Sequence, residues 1–330
     1  MKMPILWVSV SALVLFAAPA LAQDHSHTDH TQHQTDPAPK TSPIDHSKMD
    51  HGASNPAYST NVGPCGSDMI GASEEDGNQV DYIVPRQCVP VDGSGTSRLP
   101  AWEYGRYGGG HGGGLHLKID DDWMVMAHGY AWGVYTNQSG PRGDKKTYVQ
   151  SMAMLTAERQ FEGGRFQFKS MLSLEPLMSN RGYPNLFATG ETAGGEPLVD
   201  RQHPHDLFME LAARLDIDIA EGSSLFLYGG PVGEPALGPS AFMHRGSAKL
   251  NPEAPITHHW FDSSHITYGV ATAGVSTRRF QLEGSAFTGR EPDEDRWDIE
   301  KLRFDSWSVR VTFNPSPDWA LQVSHGFLKQ

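Results

Sequence analysis

Between His205 and Ala220 the chain reads HDLFMELAARLDIDIA, and its apolar residues fall at every second position. Leu207, Met209, Leu211, Ala213, Leu215, Ile217 and Ile219 share one parity; Asp206, Phe208, Glu210, Ala212, Arg214, Asp216 and Asp218 share the other. A repeat of two belongs to a pleated strand, whose successive side chains point to opposite faces, whereas a helix would space them by three and four. The run is also far longer than the about five or six residues of an ordinary strand. The pattern recurs. Phe166, Phe168, Ser170, Leu172 and Leu174 oppose Arg165, Gln167, Lys169, Met171, Ser173 and Glu175. Trp307, Val309, Val311 and Phe313 oppose Ser308, Arg310 and Thr312; Phe280, Leu282 and Gly284 oppose Gln281, Glu283 and Ser285.

The connections sharpen this. Tight turns are legible at FEGGRF (161–166), AEGSSL (220–225), VSTRRF (275–280) and NPSPDW (314–319), and long polar excursions over 177–204, 230–264 and 289–305. Short turns alternating with long loops are the plan of an outer-membrane barrel, whose strands are apolar toward lipid and polar toward the lumen. A periplasmic β-sandwich also alternates, but it puts its polar face in bulk water and has no need of long loops at one end only. The expected fold is therefore all-β, an antiparallel up-and-down transmembrane β-barrel over 123–330. Its strands lie near 123–135, 147–160, 165–175, 205–219, 224–229, 265–276, 280–288, 306–313 and 319–328. That count is odd where bacterial single-chain barrels are even: either a strand escapes the pattern or the chain stops short of its C-terminal strands, and the second is the expectation. Trp123, Trp132, Tyr135, Tyr228, Trp307 and Trp319 are candidates for interfacial girdles. Glu158, Lys169, Glu175, Glu210, Arg214, Asp216, Asp218, Glu283 and Arg310 fall on the lumen parity, as salt bridges filling the interior or as a lining for cations.

The N-terminus fits export. Lys2, an apolar stretch and ALA at 20–22 make a cleavable signal peptide over 1–22, too short and wrongly flanked for a retained span. Residues 23–60 hold almost nothing to bury and should be disordered. They carry His25, His27, His30, His33, His46 and His51, with Met49 inside DHSKMDHG. Imidazole suits copper, zinc and nickel, and thioether suits Cu(I), so this tail is expected to capture metal on the periplasmic side. Residues 61–122 are a polar, Cys-bounded segment and a glycine-rich linker around His111; Cys65 and Cys88 would meet an oxidising compartment and could pair. The formal charge of −13 argues against nucleic acid as a partner.

On this topology His203, His205 and Asp206 stand where a long loop rejoins the barrel, and His258, His259, Asp262 and His265 descend to the same rim, with Glu175 and Asp200 near. Three uses are open. His203, His205, Asp206, His258, His259 and His265 can ligate a borderline divalent ion. They can pin the loops in a hydrogen-bonded network, the commoner use of such residues. Or Ser263 or Ser264 with His265 and Asp262 can form a hydrolytic triad, for which no GxSxG or HExxH accompanies them.

The exported tail with DHSKMDHG resembles, over residues 1–60, the outer-membrane copper-resistance proteins of the B type. The segments TGETAGGEPLVDRQHPHDLFMELAA, HHWFDSSHITYGV and SAFTGREPDEDRW resemble instead an uncharacterised family of exported barrel proteins found among bacterial metal-resistance functions, whose members run on past the last residue here. The resemblance implies a non-enzymatic outer-membrane protein that handles copper or another divalent transition metal. Lipid, metal ions and periplasmic metal-efflux components would be its partners. A general porin or structural barrel, and an outer-membrane hydrolase, are the alternatives.

Overall fold

The computed structural model describes residues 72–75, 78–81, 91–100, 103, 114–120, 122–316 and 319–329. The expected signal peptide, the tail residues His25, His27, His30, His33, His46, Met49 and His51, and Cys65 and Cys88 lie outside these. The described residues are all-β with antiparallel pairing throughout. Two small hairpins come first, β1 (Ala72–Glu75) with β2 (Asn78–Asp81) and β3 (Val91–Asp92) with β4 (Arg98–Leu99). Next come β5 (Leu115–Lys118), β6 (Trp123–Asn137), β7 (Lys145–Phe161) and β8 (Gly164–Leu172). A separate hairpin of β9 (Tyr183–Ala193) and β10 (Glu196–Gln202) occupies the following long connection. The chain then resumes with β11 (Phe208–Ala220), β12 (Ser223–Gly233), β13 (Thr267–Thr277), β14 (Phe280–Phe287), β15 (Ser306–Phe313) and β16 (Leu321–Phe327). Apart from the three hairpins these strands form one ten-stranded sheet in sequence order, with β5 and β16 at its two ends.

The expected strands are all present; the 177–204 excursion, expected as a loop, holds the β9–β10 hairpin, and 61–122, expected as a polar segment and linker, holds the β1–β2 and β3–β4 hairpins and one more strand of the sheet. Leu115–Lys118 pairs with Met124–Ala127, so the sheet begins ahead of 123 and holds ten strands where the sequence pattern shows nine. Four residues were too few for period two to register. At one end of the sheet the turns are tight. Gly163 (φ 81°) and Gly222 (φ 68°) sit in the left-handed region, which costs a residue without Cβ nothing. At the other end the long connections gather.

The two faces of the sheet differ: one, here called outer, is apolar and exposed, and the other, called inner, is polar and buried. On the outer face Val149 and Leu227 are each 60 % exposed, and Leu155, Ile219, Leu225, Leu282, Val309, Val311 and Val323 are exposed beside them. On the inner face Gln150, Gln167, Lys169, Glu210, Arg214, Asp216, Gln281, Glu283 and Arg310 are buried. Four side chains depart from the expected faces; Trp132 stands opposite the buried Gln150 and stacks on Tyr130, so it belongs to the inner side and not to an outer girdle. Met209 is buried, because a bulge between Phe208 and Glu210 shifts the register against β8 and turns it inward. Tyr228 is buried on the inner face with its hydroxyl donating to Glu210 at 3.0 Å, so it belongs to no outer girdle. Asp218 lies beside the tight turn and is exposed.

What buries the polar face is the chain itself. Residues 93–99 are buried against it. Asp92 pairs with Arg165 at 3.0 Å and Arg214 at 3.4 Å; Thr96 donates to Glu283; Arg98 donates to Ser276 Oγ at 2.5 Å and the Thr277 carbonyl at 2.6 Å. Arg310, with none of its surface exposed, donates to Glu283 (2.9 Å), Thr96 Oγ1 (3.0 Å) and the Gly238 carbonyl (2.9 Å). Residues 234–244, from the connection after β12, cover the same face: Ala236 N donates to Ser285 Oγ and Gly238 N to Ser324 Oγ.

Candidate functional site

The long connections bring three imidazoles together. His205 stands just before β11, after Pro204. Its backbone N–H and its Nδ1 both contact Glu175 Oε2 at 3.0 Å, and Glu175 opens a 3-10 turn (Glu175–Leu177) directly after β8. His258 begins a one-turn helix, α1 (His258–Phe261), and its Nδ1 lies 3.1 Å from Asp262 Oδ1, four residues on. The other oxygen of Asp262 accepts from Phe242 N at 2.9 Å, tying α1 to the segment that covers the inner face. His265 ends the next 3-10 turn (Ser263–His265) with Nδ1 3.0 Å from the Asp262 carbonyl. Gly238 (φ 77°) lets this assembly pack: a Cβ there would stand 2.0 Å from the Phe261 carbonyl oxygen.

The second partner of each ring fixes what the first can do. A carbonyl oxygen only accepts, so His265 carries its proton on Nδ1; Glu175 and Asp262 draw the same tautomer in His205 and His258. In the neutral ring each Nε2 is thereby left with a lone pair. Nε2 of His205 and of His265 is buried and has no hydrogen-bond partner among the described residues. One ring nitrogen from each of the three histidines lies within 4.8 Å of the other two, and the ring centroids are 4.4, 5.8 and 6.4 Å apart. Zinc–imidazole bonds of about 2.0–2.1 Å place three tetrahedral nitrogens about 3.3 Å apart, so side-chain adjustments of about an ångström complete such a shell.

Burial dominates the electrostatics. It pushes His258 and His265 well below the usual histidine value, with the neighbouring rings adding to the effect, so both are neutral lone-pair donors at physiological pH. Burial acts on His205 too, but the charge and hydrogen bond of Glu175 outweigh it and lift that ring above its ordinary value. Asp262 is raised to about 7, burial again being the largest cause. His205, His258 and Glu175 are at most 3 % exposed. The set offers three imidazole nitrogens, each held by an outer oxygen, the arrangement that orients and strengthens a metal-ligating histidine.

The other expected rim ligands face elsewhere. His203 places Nδ1 2.9 Å from the Pro204 carbonyl and Nε2 3.4 Å from Glu191. Asp206 pairs with Arg296 at 3.4 Å, and His259 Nε2 lies 2.5 Å from Gln202 Oε1. Asp200 forms a two-pronged pair with Arg142 at 2.6 Å. The hydrolytic triad does not assemble: Asp262 is bonded through its carboxylate to His258, and His265 Nε2 meets neither Ser263 nor Ser264. His244 and Glu234, which border the site, went unremarked in the sequence; each sits alone in a proline- and glycine-rich loop where no spacing marks it. No protein-family model matches the chain, and no curated protein matches it.

Proposed function

We propose that the chain is an exported outer-membrane β-barrel protein that holds a borderline divalent transition ion, copper foremost, at His205, His258 and His265, with the His/Met tail over 23–60 as a separate capture segment. The observation that carries the metal reading is the pairing of inner and outer contacts. Each Nδ1 is committed to an oxygen, and a ring nitrogen from each histidine converges within 4.8 Å of the others in a buried site. A network that only pinned loops would have no reason to leave two buried Nε2 atoms without partners, since an unmade buried hydrogen bond is costly.

The barrel reading rests on the exposed apolar outer face and the charged inner one, together with short turns at one end and long connections at the other. A general diffusion porin is the weaker alternative, because residues 93–99 and 234–244 lie across the inner face and are bonded to it. On this reading the tail, on the periplasmic side, is the part that would meet periplasmic efflux components, while the centre stands at the opposite, long-loop end.

The test uses the full chain in detergent with His25, His27, His30, His33, His46 and His51 replaced by alanine, so that the tail does not bind. Cobalt(II) and copper(II) titration is expected to show a high-affinity site that His258→Ala or His265→Ala weakens by more than about 100-fold, beyond the usual loss for an outer-contact residue. Absence of that site in the folded protein sinks the metal reading. Gel mobility with and without boiling tests the barrel: a folded barrel shifts on heating, and a protein that is monodisperse in water without detergent is something else.

A further inference from the structure

Two pieces of chain that cover the inner face come from opposite ends of the sheet, and they meet. The first is the β3–β4 hairpin. Asp92 at its base pairs with Arg165, just past the Gly163 turn, and with Arg214; Arg98 reaches Ser276 and the Thr277 carbonyl where β13 enters its own tight turn. Burial would raise the Asp92 carboxyl, but the charges of Arg214 and Arg165 outweigh it and hold the group well below the usual carboxylate range. The tip, residues 94–96, meets the second piece, the segment 234–244 from the long connection after β12. Ser94 N donates to Ser240 Oγ at 2.9 Å, the two serine hydroxyls lie 3.1 Å apart, and Ala241 N donates to Ser94 Oγ at 2.8 Å. Gly95 (φ 54°) allows this approach, since a Cβ there would stand 2.8 Å from Glu234 Cβ. The contact runs on into the site. Phe242, which follows Ala241, donates its N–H to Asp262, and Asp262 holds His258 and His265. The hairpin is seated on the sheet without joining it. It pairs only with itself. Among the described residues, each hydrogen bond from 92–98 to the sheet or to 234–244 has a side chain at one end or both, so the hairpin can leave without unzipping a ladder.

We propose that the β3–β4 hairpin regulates the three-imidazole centre: seated, it fixes Ala241 and Phe242 and through them Asp262, and withdrawn toward the tight-turn end it loosens the two rings that Asp262 holds. This rests on reading that centre as a metal site, and it gives the site a control that acts from the opposite end of the sheet. Such coupling is reciprocal, so whatever seating adds to metal affinity a bound ion returns to seating. The element with two positions is the hairpin, latched at its base by Asp92 and docked at its tip by Ser94. In the sequence it stands between the His/Met tail and β5, so a pull on the chain ahead of residue 91 acts first on the Asp92 latch.

The experiment uses the full chain in detergent with its tail histidines replaced by alanine. Hydrogen exchange of amides 92–98 is measured with and without cobalt(II), and cobalt is titrated into two variants that touch no imidazole. Saturating cobalt is expected to slow exchange of 92–98 by about 5-fold or more, the lower end of ordinary coupling between sites. Asp92→Asn, which removes the charge of the latch, and Gly95→Ala, which wedges the tip away from Glu234, should each weaken cobalt binding by about 5-fold or more, with amides of β11–β14 as protected as before. Exchange of 92–98 indifferent to bound cobalt, or unchanged cobalt affinity in both variants, overturns the coupling and leaves the metal centre standing. Loss of protection throughout β11–β14 in both variants also overturns it, the hairpin then being a general part of the core. No cobalt site in the chain that carries neither substitution removes both readings together.

Discussion

Asp262 performs three tasks four residues from His258: one oxygen holds the imidazole, the other accepts from Phe242 N, and its own carbonyl holds His265. Glu175 does the equivalent for His205 through backbone and ring. Outer oxygens of this kind usually contribute 10- to 100-fold to metal affinity, about 1–3 kcal/mol. Glu175→Gln keeps an acceptor but removes the charge, so cobalt binding should weaken by about 10- to 100-fold with the spectrum still nitrogen-rich. His203→Ala, whose ring faces Glu191 and the Pro204 carbonyl, should leave affinity unchanged. Equal losses in both variants would mean that the effect is general loosening of the loops. At this scale HPHD was legible in the sequence as a polar cluster, but which of its histidines joins the other imidazoles was not, because the two rings, separated by Pro204, take different partners only once the loop is folded.

The elements that carry these residues are short and irregular: a 3-10 turn after β8, one turn of α1, and another 3-10 turn. None is stable alone, since a single helical turn does not recover the cost of nucleation. They are held from outside, by Phe242 N on Asp262 and by the close approach of Gly238 to the Phe261 carbonyl. Gly238→Ala would place a Cβ 2.0 Å from that oxygen and force an alanine to a φ of 77°. The expected result is a loss of about 1–3 kcal/mol in stability and weaker cobalt binding, although residue 238 touches no imidazole. Titration of the variant against its denaturant midpoint checks this, and unchanged metal affinity would show that α1 holds its place without the glycine. The bulge at Phe208–Glu210 belongs to the same scale. Strict alternation along β11 put Met209 on the outer parity, and one extra residue against β8 buries it on the inner side instead.

Across the molecule, titratable groups gather at the end of the sheet that carries the long connections, and their pKa shifts oppose one another. Burial raises Glu191, Asp206, Asp262 and Glu234 to about 7, 6, 7 and 8. The folded chain keeps these protons where the unfolded chain loses them near pH 4, so their contribution is full below about pH 4 and is lost as pH rises through 6 to 8. Burial lowers His203, His258 and His265 well below the ordinary value and His244 to about 3. Their contribution is full above about pH 6.5, the unfolded value, and is lost as pH falls. The two slopes offset each other between about pH 4.5 and 6.5. Hydrogen-exchange protection of amides 234–266, corrected for intrinsic rate, should therefore form a plateau there and decline on both sides. A profile that only rises or only falls with pH would show that one of the two sets is solvated rather than buried.

Period two, the glycine-bearing turns and the spacing of long loops determined an antiparallel all-β chain with apolar residues on one face and charges on the other, and they located its strands to within a few residues. These are local properties, set by backbone geometry and by which parity each side chain occupies, and a linear sequence carries them in full. What covers the charged face was decided only in three dimensions. Arg310 and Thr96 meet across 214 positions and Ser94 and Ser240 across 146. The three imidazoles likewise come from two separate connections. Contacts of that range depend on how loops pack against a formed sheet, and no periodicity encodes them.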